Sequence, residues 1–533
     1  MSTTLLRGGR VHSADEPFAT ALVIEDDTVA WVGSDAAADQ HADGVDVVLE
    51  LDGAWVAPAF VDAHVHTSAT GLHLMGLDLA GASSAEDVLS KVAAAATDHA
   101  GSVLLGHGWD ETQWAETQPP TRKQLDEAAP GALVYLSRVD VHSCLVSSAL
   151  MDRTHGLVDE SGFDNDGWLS RDAHHRVRRI ALDSVSGEQR REAQRRCLNV
   201  AASLGIGMVH ELGGPDISST DDFRDVLEIV GPETGVHVVG YWGEGGGPDV
   251  AVSLGARGAA GDHFVDGAIG SRTAYLREPY LDADTHGSAY TDAATIRDHV
   301  IQCSLAGVQA GYHVIGDAGM DLVVAGFGEA AEKIGDEVVR SAQHRLEHVE
   351  MVDTAALSLL ARLGVTASVQ PVFDAWWGGA GGMYEARLGQ QRARELNPLA
   401  DMQAAGVPLA LGSDSPVTPL APWQAVRAAV HHHQSSQRLT ARSAFTAHTR
   451  GGWRAAGLRG GRLAVGEPAT FAVWQCGDLV VQTPDERVAA WSTDPRSGVP
   501  GLPSLHPEGP DPICLRTVVA GRTVYTNDDR RSS

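Results

Sequence analysis

Lysine is almost missing from this chain. Among 533 residues only Lys91, Lys123 and Lys333 are lysines, so arginine supplies nearly all of the 40 basic side chains against 70 acidic ones. The formal net charge of −30, with no basic stripe, argues against a nucleic acid or an anionic membrane surface as partner. Cysteine is sparse. Cys144, Cys197, Cys303, Cys476 and Cys514 are odd in number, lie far apart and form no Cys-x-x-Cys. That pattern speaks against a disulfide framework and for reduced thiols in a cytoplasmic protein. No run approaches the ~20 apolar residues that a membrane helix needs. The stretch Met1–Arg10 has no apolar core of the kind a signal peptide carries. No solenoid-type repeat is present.

What is there is an ordinary globular balance: 43% hydrophobic and 21% charged residues leave no reason to invoke extended disorder. The length is too great for one simple core, so two or more domains are expected. Residues 1–57 read as short β-prone runs separated by polar or glycine turns. Thr470–Trp474, Leu515–Ala520 and Arg522–Tyr525 read alike near the other end. Neither end can bury a core alone, so residues 1–57 and 456–533 are expected to pair into one small β-domain. Residues 58–455 between them alternate strand-like and helix-like stretches. Strands are expected at Ala54–Phe60, Ile206–His210, Val236–Gly240, His263–Val265, Val308–Val314, His344–Val349, Val365–Val369 and Pro408–Leu411. Eight such units predict an α/β fold, a (β/α)8 TIM-like barrel, with its chemistry at the C-terminal strand ends. Residues from about 70 to 185 break the alternation and read as an insertion after the first barrel strand, covering the mouth. Residues 372–398 read as a long lid-like loop.

The first barrel strand ends in Asp62-Ala-His64-Val-His66. Residues i and i+2 of a strand point the same way, so the two imidazoles face one point, as a divalent metal requires. Asp62, on the same face, could orient a ligand. His313 ends the fifth candidate strand and His348 the sixth, and Asp414 follows the eighth in Gly412-Ser-Asp-Ser-Pro416. Singly each has a plain structural reading. Together they put four histidines and an aspartate at one barrel mouth, and a metal site explains that better than chance. The run His431-His-His433 is rejected as a metal site, because consecutive helical residues splay around the axis.

These residues carry a resemblance. The chain resembles the amidohydrolase superfamily and, within it, the YtcJ-like branch (amidohydrolase family 3). The match rests on Phe60-Val-Asp-Ala-His-Val-His66, Gly108-Trp-Asp-Glu-Thr-Gln-Trp114, Asp266-Gly-Ala-Ile-Gly-Ser-Arg-Thr-Ala274, His313-Val-Ile-Gly-Asp317, Arg345-Leu-Glu-His348 and Gly412-Ser-Asp-Ser-Pro416. It implies a barrel with a composite β-sandwich from both termini, and metal-dependent hydrolysis of an amide-type C–N bond in a small N-acyl, N-formyl or cyclic amide. Alternatives are a deaminase, an ester or carbamate hydrolase on the same scaffold, or a non-catalytic degenerate barrel. By position His64, His66, His313, His348 and Asp414 would hold the metal, and Asp414 would also be the general base. Zinc is the first expectation for the ion, with iron, manganese or nickel as alternatives. Such relatives often form homodimers, and no sequence feature decides that here.

The resemblance also implies a carboxylated lysine bridging two metals on the fourth strand. That neighbourhood reads Gly261-Asp-His-Phe-Val-Asp266, without lysine. The options are one ion alone, a carboxylate bridge from Asp262, or one from Glu211 after the second strand; the single ion is preferred. Trp109, Asp110, His142, Arg272 and Trp377 are candidate substrate contacts. For Trp109 and its neighbour Trp114, packing inside the insertion is an equal alternative.

Overall fold

Eight parallel strands follow one another in chain order around one sheet. They are Phe60–Val65, Ile206–Gly213, His237–Trp242, Gly258–Ala259, Gln309–Val314, Arg345–His348, Thr366–Val369 and Leu409–Leu411. The computed structural model describes residues 2–42, 44–97, 102–111, 114–116, 118–138, 143–482, 491–492 and 500–527. Strands such as Phe60–Val65 and Ile206–Gly213 are buried along their whole length, their polar residues Asp62, His64, His210 and Glu211 included. Helices between them are cut by local signals. Ala293–Ala306 starts at Asp292, whose carboxylate accepts the Thr295 N–H at 2.8 Å, and stops at Gly307 with φ 68°.

The first and last strands meet at a seam. Val65 bridges Ser415, Asp414 N–H donates to His64 O at 2.8 Å, and His66 N–H donates to Ser415 O at 3.0 Å. The sheet therefore curls into a nearly closed (β/α)8 barrel, as the eight-unit alternation predicts.

Two strands differ from expectation. The run Ala54–Phe60 is not one barrel strand. Trp55–Pro58 pairs with Phe471–Trp474 in another sheet, and the barrel strand begins at Phe60. Both pieces are buried, so the apolar run shows no break where the chain changes sheets. The fourth strand is Gly258–Ala259, not His263–Val265; Phe264 makes only an isolated bridge to His313. Two small residues carry no strand signal in a sequence.

Strands from both chain ends share one sheet, in the order Arg10–Val11, Trp55–Pro58, Phe471–Gln475, Ile513–Val519, Arg522–Thr526. A second sheet holds Thr3–Arg7, Ala21–Glu25, Thr28–Gly33 and Val47–Glu50. One hydrophobic cluster draws Leu6, Leu22 and Ile24 from one sheet and Val56, Phe471 and Val518 from the other.

The chain divides into two compact units, Met1–His66 with Leu198–Ser533, and Thr67–Cys197. The second unit has its own five-stranded sheet, ordered Trp168–Ser170, Ser143–Val146, Leu133–Arg138, Val103–Trp109, Leu77–Asp78, and its own core around Val88, Leu104, Leu125 and Leu136.

At the seam, a Cβ on Gly412 would lie 2.6 Å from His64 N and 3.0 Å from His64 Cβ. Gly412→Ala should lower unfolding free energy by about 1–3 kcal/mol, the usual cost of overpacking. Unchanged melting would mean that the two strands part easily.

Candidate metal centre

Four imidazoles and two carboxylates meet at the C-terminal ends of the barrel strands. His64 and His66 leave the first strand on one face, and His313, His348 and Asp414 come from the fifth, sixth and eighth. Asp262, in the loop after the short fourth strand, lies among them. Its Oδ2 is 3.6 Å from His64 Nε2 and 3.2 Å from His66 Nε2. Its Oδ1 is 3.4 Å from His313 Nδ1 and 3.9 Å from His348 Nε2. Asp414 Oδ1 is 3.3 Å from His64 Nε2 and 3.2 Å from His66 Nε2.

Each imidazole is anchored through one nitrogen. His64 Nδ1 donates to Glu347 Oε2 at 3.0 Å, His66 Nδ1 to Leu212 O at 2.9 Å, and His348 Nδ1 to Gln370 Oε1 at 2.8 Å. His313 is turned the other way, with Nε2 at 3.4 Å from Gly267 O. The anchor sets the tautomer, so in every neutral ring the remaining lone pair faces the cluster. His64 Nε2, His313 Nδ1 and Asp262 Oδ1 are buried with no hydrogen-bond partner among the described residues. Leaving such atoms unsatisfied costs about 1–3 kcal/mol each.

The donor set fits a divalent ion. Tetrahedral bonds of about 2.0–2.1 Å put ligand atoms about 3.3 Å apart. His64 Nε2, His66 Nε2, Asp262 Oδ2 and Asp414 Oδ1 are spaced at 3.2–3.6 Å in the four imidazole–carboxylate pairs. His64, His66 and Asp414 form one compact group of potential ligand atoms, and His64, Asp262 and His348 another. Strain marks the same place: Asp414, His348 and Val349 take φ values of 56°, 70° and 52°. Non-glycine residues adopt that region only when their surroundings hold them there.

Electrostatics point the same way. Burial disfavours a charged imidazole, but Asp262 and Asp414 outweigh it, lifting His64 well above its ordinary pKa and His66 to about 10. Burial likewise works against the two carboxylates, and His64 with its neighbours overrides it, holding both well below the usual range. The carboxylates are ionised and attract positive charge. Protons or a metal ion compete for the same lone pairs.

Asp262 is buried and central to the cluster rather than a solvated residue at the strand entry. Glu211 is buried at the end of the second strand but belongs to neither compact ligand group. Trp109 is fully buried inside the insertion with Nε1 donating to Leu136 O at 3.1 Å, and Trp114 likewise donates to Ala82 O at 2.7 Å. Both are core residues, and their rings offer no face to a substrate. Asp110 pairs with Arg138 at 3.2 Å. Arg272, at φ 61°, is clamped by Asp282 at 3.0 and 2.7 Å. Trp377 is half-buried against Phe373 at 4.6 Å, and Phe373 stacks parallel on His348 at 6.0 Å. His142, with the rest of 139–142, lies outside the described residues. The rejected run does not lie on a helix, which ends at Val430. His432 Nδ1 accepts the Gln434 N–H at 3.0 Å, and His433 Nδ1 donates to Asp374 at 3.1 Å.

A sequence model of the amidohydrolase family matches residues 47–525. The chain belongs to that family. It is 25% identical over 455 residues to the putative amidohydrolase YtcJ of Bacillus subtilis, covering 78% of this chain and 81% of that one. It is 23% identical over 471 residues to an N-substituted formamide deformylase of Arthrobacter pascens, covering 78% and 82%. An uncharacterized metal-dependent hydrolase from Pyrococcus furiosus superposes with a TM-score of 0.73 at 25% identity, over 88% of this chain and 98% of the other.

Other residues of these motifs shape the site from behind. Asp266 accepts the N–H groups of Tyr275, Ile315 and Gly316 at 2.8, 3.0 and 2.7 Å, tying the loop after strand four to the end of strand five. Glu347, Gln370 and Arg345 escaped the residue-by-residue reading. The available signal was the alternation Arg345-Leu-Glu347, opposite charges two apart on a buried strand.

Glu350, just past His348, is buried, and burial pushes its carboxyl up to about 7. A raised pKa means that the folded state holds the proton more tightly. The stabilisation is complete below the unfolded value near 4.5 and is lost as pH rises through about 7. Wild type should therefore lose stability relative to Glu350→Gln over that window, by up to about 1.4 kcal/mol per pH unit. Parallel curves for the two proteins from pH 4.5 to 7 would refute this.

Proposed function

We propose that this chain hydrolyses an amide-type C–N bond of a small N-acyl, N-formyl or cyclic amide substrate. His64, His66, Asp414 and Asp262 would hold one divalent ion, zinc foremost. Asp262, His313 and His348 would hold a second. The observation that carries this reading is Asp262, whose two oxygens face the two histidine pairs separately. The formamide deformylase among the relatives supports the choice of C–N bond. We also read the two terminal sheets as a composite β-sandwich beside the barrel.

Held by these residues, a divalent ion would supply Lewis acidity toward a scissile carbonyl and would lower the pKa of water toward ~7. The chain supplies the proton transfers. Asp414 is ionised and carries its carboxylate at the cluster, so it can take a proton from the attacking water and return it to the leaving nitrogen. The anchored rings hold the donor atoms in place, so little reorganisation is needed during reaction. Trp377 would pack against an apolar part of the substrate.

Elemental analysis of purified protein tests the ion count. About two ions per chain are expected for wild type and one or fewer for Asp262→Asn. A wild type that stays metal-free after growth with added zinc would overturn the reading. For catalysis, Asp414→Asn should keep the fold and lose about 10²–10⁴-fold in turnover on N-acyl and N-formyl amines, the usual worth of a general base. Turnover that survives would remove Asp414 from that role.

A further inference from the structure

The barrel interior behind His64 holds a buried ion pair where such barrels mostly carry branched aliphatic side chains. Arg345 and Glu347 lie two apart on the sixth strand, and neither has measurable exposure. Arg345 Nε donates to Glu347 Oε1 at 2.6 Å, and Nη2 donates to Oε2 at 3.0 Å. The guanidinium also donates to Ala63 O at 2.7 Å and to His210 Nδ1 at 2.9 Å, and it lies 4.3 Å over the Tyr241 ring. Glu347 Oε2 then takes the Nδ1–H of His64.

Stability does not explain this arrangement. Burying two charges costs several kcal/mol per ion in desolvation, and well-packed apolar replacements are often neutral or stabilising. The pattern of anchors does explain it. His66, His348 and His313 lean on two backbone carbonyls and an amide, all uncharged. Only His64, the one imidazole present in both compact ligand groups, leans on a carboxylate.

We propose that Glu347 is a positioning residue of the metal centre, with Arg345 as its support. Glu347 holds His64 in the Nδ1–H tautomer and aims Nε2 at Asp262 and Asp414. Its negative charge makes that lone pair a stronger donor. Arg345 fixes the carboxylate and ties it to the first strand at Ala63, the residue before His64. The inference rests on the metal reading above.

The test compares zinc retention against a competing chelator, and thermal melting, for full-length wild type and two double variants. Arg345→Met with Glu347→Leu removes both charges and the acceptor. It should melt close to wild type yet bind zinc about 10–100-fold more weakly, the usual effect of losing such an outer partner. Arg345→Met with Glu347→Gln keeps a neutral acceptor and should lose less. A purely structural pair would lower the melting temperature and leave the zinc affinity of the folded protein unchanged, and that result overturns the proposal. If the apolar pair fails to fold, the glutamine variant decides: wild-type affinity there overturns the proposal, and weakened affinity supports it. A wild type that retains no zinc would defeat the metal reading itself, before any variant is compared.

Discussion

Two ionised carboxylates buried among four imidazoles are the constraint on which the rest of the structure depends. Neither Asp262 nor Asp414 reaches bulk water to any useful extent. Charge buried this way is tolerated only when paired. The imidazoles can supply the pairing by taking protons, or they can stay neutral and share their lone pairs with a cation. Anchoring each ring through its other nitrogen prepares the second option. The barrel can be understood as a frame that keeps these groups from relaxing apart.

That frame is expensive at the points where it holds hardest. Asp414 and His348 sit with positive φ, and strand eight passes strand one so closely that only glycine fits at position 412. Asp62 sits in the same seam, accepting the Ser413 N–H at 2.8 Å, and burial raises its carboxyl to about 6. Each feature costs stability locally. Together they set the distance between His64, His66 and Asp414, and strain of this kind persists when the surrounding packing over-determines it.

How much of this was legible in the sequence depended on whether local chemistry or tertiary placement decided the outcome. His64 and His66 announced themselves, because two-residue periodicity on a strand is a local rule. Seven of the eight barrel strands were placed from the sequence, although the first was drawn too early, across the point where Pro58 leaves one sheet and Phe60 enters another. The fourth strand did not show, because two small residues pair through backbone alone. Asp262 was legible as a candidate and not as a centrepiece, since its position depends on a loop to which strand alternation does not apply. For Trp109 and Trp114 the sequence left substrate contact and packing inside the insertion equally open, and here each indole N–H finds a backbone carbonyl inside a core. Glu347 was hidden because a buried ion pair on a barrel strand is rare enough that sequence patterns lean against it.

The scarcity of lysine ends up as a statement about backbone geometry. In the amidohydrolase superfamily a carboxylated lysine can reach from its strand to two ions on a long side chain. Aspartate carries a carboxylate of the same sign on one methylene, so the backbone itself must approach the centre. The neighbourhood of Asp262 is built for that approach. A Cβ on Gly243, just past the third strand, would meet the Asp262 carbonyl carbon at 2.8 Å and His263 N at 2.9 Å. Gly261 turns the chain at φ 96°, a conformation that side chains resist. The fourth strand stops after Ala259, which frees the next residues to bend inward. A short strand, two glycines and a short acid thus bring a carboxylate to the cluster through the backbone rather than through a long side chain.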